Sequence, residues 1–445
     1  MSERQTSLWR HRDFMRLWAA ETISQLGSQV TLLALPLAAI LILDATAFEV
    51  GALSSIEYAP FLLVGLPAGV WVDRLRRRPI LIAGDLGRAI VLASIPIAYW
   101  LDALTMPHLY AAAFLTGICT VFFDVAYQSY LPSLVERRRL TEGNAKLEIS
   151  RSGAQLAGPG LAGALVEILT APVVIAADAV SFLGSALFVT RIRRPEPDVP
   201  APAAEDRPRM RSQIMEGLRY VLGHSLLRPI AACTALSNLF SAMVTAILIL
   251  FAVRVLGLTA GAIGVALAIG NVGFLVGALV ADRIARRVGL GRAIIGSAVL
   301  FALGGFAYPL ATPETAVALF VAGGFLVGFG GVVYNVNQVS LRQAITPGRM
   351  QGRMNATMRF VVWGTLPIGA LAGGALGGAI GLRPTLWIAA LGGLLSFVPP
   401  LLSPVRKLRF MPEEAAEDLP EEEARRAEAD AGGTPEPGPA DQSGS

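Results

Sequence analysis

Apolar residues in this chain run in blocks, and polar residues gather in the gaps between them. Val30–Leu43, Ile80–Leu101, Val173–Val189 and Ala316–Val333 are examples. With their flanks, such blocks are long enough to cross roughly 30 Å of hydrocarbon as helices. Read this way, the chain predicts twelve spans: 14–43, 48–73, 79–101, 105–131, 143–167, 172–191, 228–255, 260–283, 291–311, 315–341, 350–380 and 384–403. The longest interruption separates the sixth span from the seventh. Residues 192–212 carry Pro195, Pro197, Pro200, Pro202 and Pro208, the composition of a flexible linker. Ile214, Leu218, Val221 and Leu222 then recur at helical spacing among polar residues, as in a short helix lying on a membrane face. The expected fold class is all-α integral membrane, with two six-helix halves at 1–191 and 226–403. A linker with an interfacial helix (192–225) joins them, and an acidic tail (404–445) follows, expected to be disordered.

The two halves repeat one another. Gly69-Val-Trp-Val-Asp73-Arg74-Leu-Arg76-Arg77-Arg78 ends the second span, and Gly277-Ala-Leu-Val-Ala-Asp282-Arg283-Ile-Ala-Arg286-Arg287 ends the eighth. Tyr127-Gln128-Ser129 matches Asn337-Gln338-Val339, and Asn144-Ala145 matches Asn355-Ala356. An offset of 208–211 residues between six spans and six spans of the same orientation means parallel repeats, related by an axis along the membrane normal.

Charge sets the expected orientation. Segments 73–79, 132–146, 283–292 and 342–353 hold 4, 4, 4 and 3 Lys/Arg, whereas the loops at the other ends of the spans hold only Arg383. The positive-inside rule then places both termini and the linker in the cytoplasm. Trp9, Trp18 and Trp71 fall near inner ends, and Tyr99, Trp100 and Tyr308 near outer ends, as interfacial belts do. The formal charge of +4 hides a split, because residues 412–445 carry eleven acids against Arg425 and Arg426. Charged residues make up 16% of the chain and apolar residues 54%; mean hydropathy is +0.57. That balance excludes a soluble enzyme or a nucleic-acid binder. No cleavable leader is expected ahead of the first span. Cys119 and Cys233 lie in apolar stretches and are expected as buried thiols.

Ionisable and amide residues inside spans are the candidates for function. Glu21, Glu57 and Asp124 are the candidate proton carriers; a structural pairing of Asp124 with Arg151 or Arg88 is the alternative. Asp85 and Arg88 are spaced to pair with each other. The second half contributes Asn238, Asn271, Asn335, Asn337 and Gln338, with Arg359 as its one clear charge well inside a span, as candidates for lining a substrate cavity. Asp73 is expected to face the N-terminus of the eleventh span and Asp282 that of the fifth, where free N–H groups carry partial positive charge. Gly69, Asp73, Arg74, Arg77, Arg78, Asp282 and Arg283 would then form a gate between the halves. Gly369, Gly373 and Gly377 repeat every four residues in the eleventh span, and Gly158, Pro159 and Gly163 fall in the fifth. Both sets predict close helix packing, with a sliding surface between the halves as the functional alternative. No ATP-binding loop, metal-ligand spacing or catalytic constellation occurs, so no enzyme activity, cofactor or metal is expected.

These residues resemble the major facilitator superfamily over about 14–403. The motif from Gly69 to Arg78 is similar to the family's loop 2–3 signature, with Arg76 where Gly is usual. Gly158-Pro159-Gly160-Leu161-Ala162-Gly163 is similar to the Gly-Pro motif of its drug/proton antiporters, with Ala162 in place of a Gly. The family's usual Arg in the fourth span is missing. Phe123-Asp124 and Glu216-Gly217-Leu218-Arg219-Tyr220-Val221 look like the subgroup of the enterobactin exporter and the macrolide-efflux proteins. The resemblance implies the major facilitator fold. It further implies a monomeric exporter of a drug, a macrolide-like or a siderophore-like molecule in the bacterial inner membrane, driven by proton antiport. Its partners would be that small molecule, protons and the lipid bilayer, with no nucleic acid. An importer, a uniporter of the same fold and a transport-inactive scaffold or sensor are the alternatives.

Overall fold

In the computed structural model, residues 8–72, 75–136, 139–194, 196 and 210–412 are described. Asp73, Arg74 and most of the acidic tail lie outside them. The first half comprises α1 (Arg12–Leu41), α2 (Ala47–Leu63), α3 (Gly65–Val72), α4 (Arg77–Trp100), α5 (Met106–Leu134), α6 (Leu140–Ile168) and α7 (Ala171–Thr190). After α8 (Met210–Gly223) come α9 (Leu227–Arg254), α10 (Ala260–Gly270), α11 (Val272–Val288), α12 (Leu290–Gly305), α13 (Ala307–Leu310), α14 (Ala316–Ile345), α15 (Gly348–Ile380), α16 (Leu382–Leu394) and α17 (Val398–Leu401).

These are the twelve expected spans, four of them assembled from more than one piece, the ninth being α12 and α13 joined at Phe306. The second breaks at Val64, four residues after Pro60, and the eighth breaks at Asn271. The last is completed by a 3-10 turn between α16 and α17. Ten spans are long and apolar enough to be recognised by composition alone. The other two are the broken α2–α3 pair and α6, whose first turns carry Glu142, Lys146, Glu148 and Arg151. Polar caps fix several starts. Thr46 and Glu49 form a reciprocal capping box on α2, and the Thr259 hydroxyl accepts from Ala262 N on α10.

Polar contacts at the arginine-rich end tie the first half together. The Glu196 carboxylate accepts from the backbone N–H of Arg77 (2.7 Å) and Arg78 (3.2 Å), satisfying the free donors at the start of α4. Asp13 accepts from Arg193 N and Arg194 N, and Arg78 donates to the last carbonyls of α7 at Val189 and Thr190. In the second half α8 lies on α15, with Glu216 paired to Arg353 and Gly217 against the Arg353 carbonyl. The sequence put residues 404–412 in the tail, but the stretch 404–409 packs. Val405 is fully buried, and the Leu408 and Arg409 carbonyls accept from Gly291 N and Leu290 N at the start of α12.

The halves meet away from the arginine-rich loops. Gly51 of α2 faces Gly374 of α15, and Gly163 of α6 faces Gly264 of α10, backbone against backbone. Arg254 pairs with Asp44 at 2.5 Å, Glu167 accepts from Gly261 N at 2.9 Å, and Asn271 donates to the Gln155 carbonyl at 2.7 Å. At the other end α3 packs on α2 and α5, and α11 packs on α12 and α14, each within its own half. Glu148, Arg151, Asn355 and Arg359 are exposed there. The structure is therefore closed at one end and open at the arginine-rich end.

Candidate functional site: buried acids in one half and a cavity in the other

The first half buries a group of acidic side chains. Glu21 of α1 is 7% exposed; its Oε1 accepts from Gln25 (2.8 Å), and its Oε2 is buried with no partner among the described residues. Asp85 and Arg88 of α4 pair at 2.6 Å, both buried, and Ser185 of α7 donates to the second Asp85 oxygen at 2.7 Å. The Arg88 guanidinium lies between the rings of Phe123 (4.2 Å) and Phe182 (4.1 Å). Arg88 thus belongs to Asp85. Half-buried Asp124, one residue beyond Phe123, has no ion pair within 4 Å among the described residues. Glu57 lies one turn before Phe61, whose ring stacks on Trp363 of α15 at 4.3 Å between centroids. Asp178 of α7 is a further buried acid, 1% exposed, held by the hydroxyls of Thr31 and Ser181. The sequence reading passed over it, although a lone carboxylate inside an apolar block is itself the signal.

The second half is different. It encloses a cavity of about 580 Å³ lined by α9, α11, α12, α14 and α15. Asn238, Asn335, Gln338 and Arg359, all expected there, line it. So do Asn355, Tyr334, Phe274, Phe301 and Trp363. Two expected residues do not. Asn337 is buried and donates back to the Val333 carbonyl (2.8 Å), and Asn271 serves the seam between halves. Arg342, counted in the sequence as a loop charge, is instead a buried residue of α14 that lines the cavity.

The small-residue rows divide their work. Gly369 and Gly373 approach Leu239 and Met243 of α9 within the same half, and Gly377 packs near Leu382, Ala47 and Ile247. Gly374, one position off the row, makes the backbone approach to the first half at Gly51. In α6, Gly158 packs on Gln29 of α1, whereas Gly163 and the Pro159 carbonyl meet α10. Gly69 stands in open space. Asp282 is exposed and pairs with Arg286 on its own helix, not with the start of α6; Arg283 donates to the Leu279 carbonyl at 3.5 Å.

Two six-helix units, in contact at one end and apart at the arginine-rich end, are the architecture of an alternating-access transporter. The Major Facilitator Superfamily model matches residues 17–313 and 230–431, and the chain belongs to that family of multi-pass membrane transporters. The multidrug efflux pump Tap of Mycolicibacterium fortuitum is 26% identical over 392 residues, covering 85% of this chain and 92% of Tap. Macrolide efflux protein A of Streptococcus pyogenes is 25% identical over 186 residues, 41% of this chain and 45% of that protein. Among solved structures, a bacterial homologue of the iron transporter ferroportin in its inward-facing state superposes with a TM-score of 0.70 at 18% identity, covering 88% of this chain and 98% of that one. The same homologue in its outward-facing state gives 0.58.

Proposed function

We propose that this transporter exports a small organic molecule across the bacterial inner membrane in exchange for protons, by alternating access. The arginine-rich loops face the cytoplasm with both termini, so the conformation described above is inward-open. Export is supported by similarity to Tap along nearly the whole chain. Proton coupling is carried by one observation: the buried Glu21 has one oxygen bound to Gln25 and the other without a partner, so that oxygen is the atom placed to accept a proton. Asp124 and Glu57 are the secondary carriers. The gate formed by Gly69, Asp73, Arg74, Arg77, Arg78, Asp282 and Arg283 closes in the opposite state; an Asp282 paired only on its own helix is the released form.

The test is purified protein in liposomes under an imposed pH gradient, with a panel of dyes and macrolides. Glu21→Gln is expected to abolish gradient-driven movement while leaving exchange of labelled for unlabelled compound intact. Gradient-driven transport that survives in E21Q removes Glu21 from the coupling path.

A further inference from the structure

The transport reading leaves one cavity residue unexplained. Arg342 is 8% exposed, its Nε is buried without a partner, and its guanidinium makes no ion pair or hydrogen bond among the described residues. No carboxylate lines the cavity. Its second cation, Arg359, is exposed and likewise free of any ion pair among the described residues. A buried guanidinium held beside an open cavity with no counter-charge is costly to the protein alone, and an anion entering the cavity relieves that cost. Planar guanidinium groups fit carboxylate-type oxygens in pairs. Phe301, Tyr334 and Trp363 line the same cavity as the arginines and bring aromatic surface to it.

We infer that the second half carries an anion subsite in which Arg342 and Arg359 hold the acidic group of an aromatic organic acid. The inference rests on the transport reading for the site's purpose, but not for its test. The acidic groups then lie in the first half and the anion in the second. Substrate and proton are held by different halves and do not compete for the same group.

The experiment is equilibrium binding by calorimetry, on full-length protein in nanodiscs of neutral lipid. The probes are naphthalene-2-carboxylate, its neutral carboxamide and naphthalen-2-ylmethylammonium. The acid is expected to bind about tenfold more tightly than the amide, as a charge-assisted paired contact gives, and the cation more weakly still. Arg342→Gln with Arg359→Gln is expected to bring acid and amide together; Arg359→Gln alone, at an exposed position, gives a partial loss without risk to folding. Equal binding of acid and amide by the unaltered protein overturns the inference. So does binding of none of the three, or a preference that persists in the double variant. The two readings fail separately. Proton-driven transport of any compound without acid preference leaves the transport reading standing and removes the subsite. Acid preference without any proton-driven transport does the reverse.

Discussion

Replacing Asp85 with Ala lowers stability by about 3–5 kcal/mol, the loss seen when one partner of a buried ion pair is removed. The pair is sealed on all sides: Arg88 is 3% exposed, Asp85 is 0% exposed, and the phenyl rings of Phe123 and Phe182 flank the guanidinium. Without Asp85 the cation loses its one ion pair within 4 Å among the described residues, and Ser185 loses its acceptor. Removing both charges, as Asp85→Leu with Arg88→Met, recovers most of the loss, because the cost lies in the orphaned charge and not in the absence of the pair. Thermal unfolding in detergent separates the cases. If the double variant is as unstable as D85A, the damage comes from packing of α4 on α7 and not from charge.

The larger functional effect is expected at the sealed end. A Cβ at residue 264 would meet the Pro159 carbonyl and lie 2.9 Å from the Gly163 Cα. Backbone cannot withdraw as a flexible side chain does, so Gly264→Val prevents the seam between α6 and α10 from closing. The halves then populate the opposite state, and turnover falls by an order of magnitude or more, since a two-state carrier shifted by a few kcal/mol is almost entirely in one form. Ser152, exposed on the open side of α6, reports it. In a background with Cys119 and Cys233 replaced, Ser152→Cys reacts readily with an impermeant maleimide added at the arginine-rich face. In the Gly264→Val protein that reaction is expected to slow. Gly296→Val is the control, because a Cβ there meets nothing. Unchanged labelling and turnover in Gly264→Val would show that the seam is not a gate.

The spans, their number and the repeat were readable from sequence because a bilayer imposes length and polarity on every crossing. The Asp85–Arg88 pair was readable because both groups sit on one helix, three residues apart. What escaped depends on which way side chains point in a bundle. Asn337 and Gln338 are neighbours in sequence, yet only Gln338 reaches the cavity. Arg342 looks like one more loop charge until α14 is seen to continue to Ile345. The glycine row at 369, 373 and 377 announced close packing without saying against which helix; the answer at Gly369 and Gly373 is α9, in the same half. The break at Asn271 has no proline to mark it.

That break and its counterpart at Val64 divide two helices into an outer piece at the sealed end and an inner piece at the arginine-rich end. The two breaks lie 207 residues apart (271 − 64), close to the offset of the repeat. The outer pieces, α2 and α10, hold the glycine contacts to the other half, while the main contacts of α3 and α11 lie within their own half, α11 resting backbone to backbone on α14 at Gly273 and Gly277. Moving with its half about the break, each inner piece would act as a lever. Asp282 lies eleven residues beyond Asn271, about 16 Å along the helix axis. A swing of roughly 30° at the pivot carries it about 8 Å sideways on that arm. A deformation confined to one turn of one helix thus becomes a displacement larger than a side chain's reach. The motif at the lever's tip can engage or leave its partner without the clamped outer piece having to move.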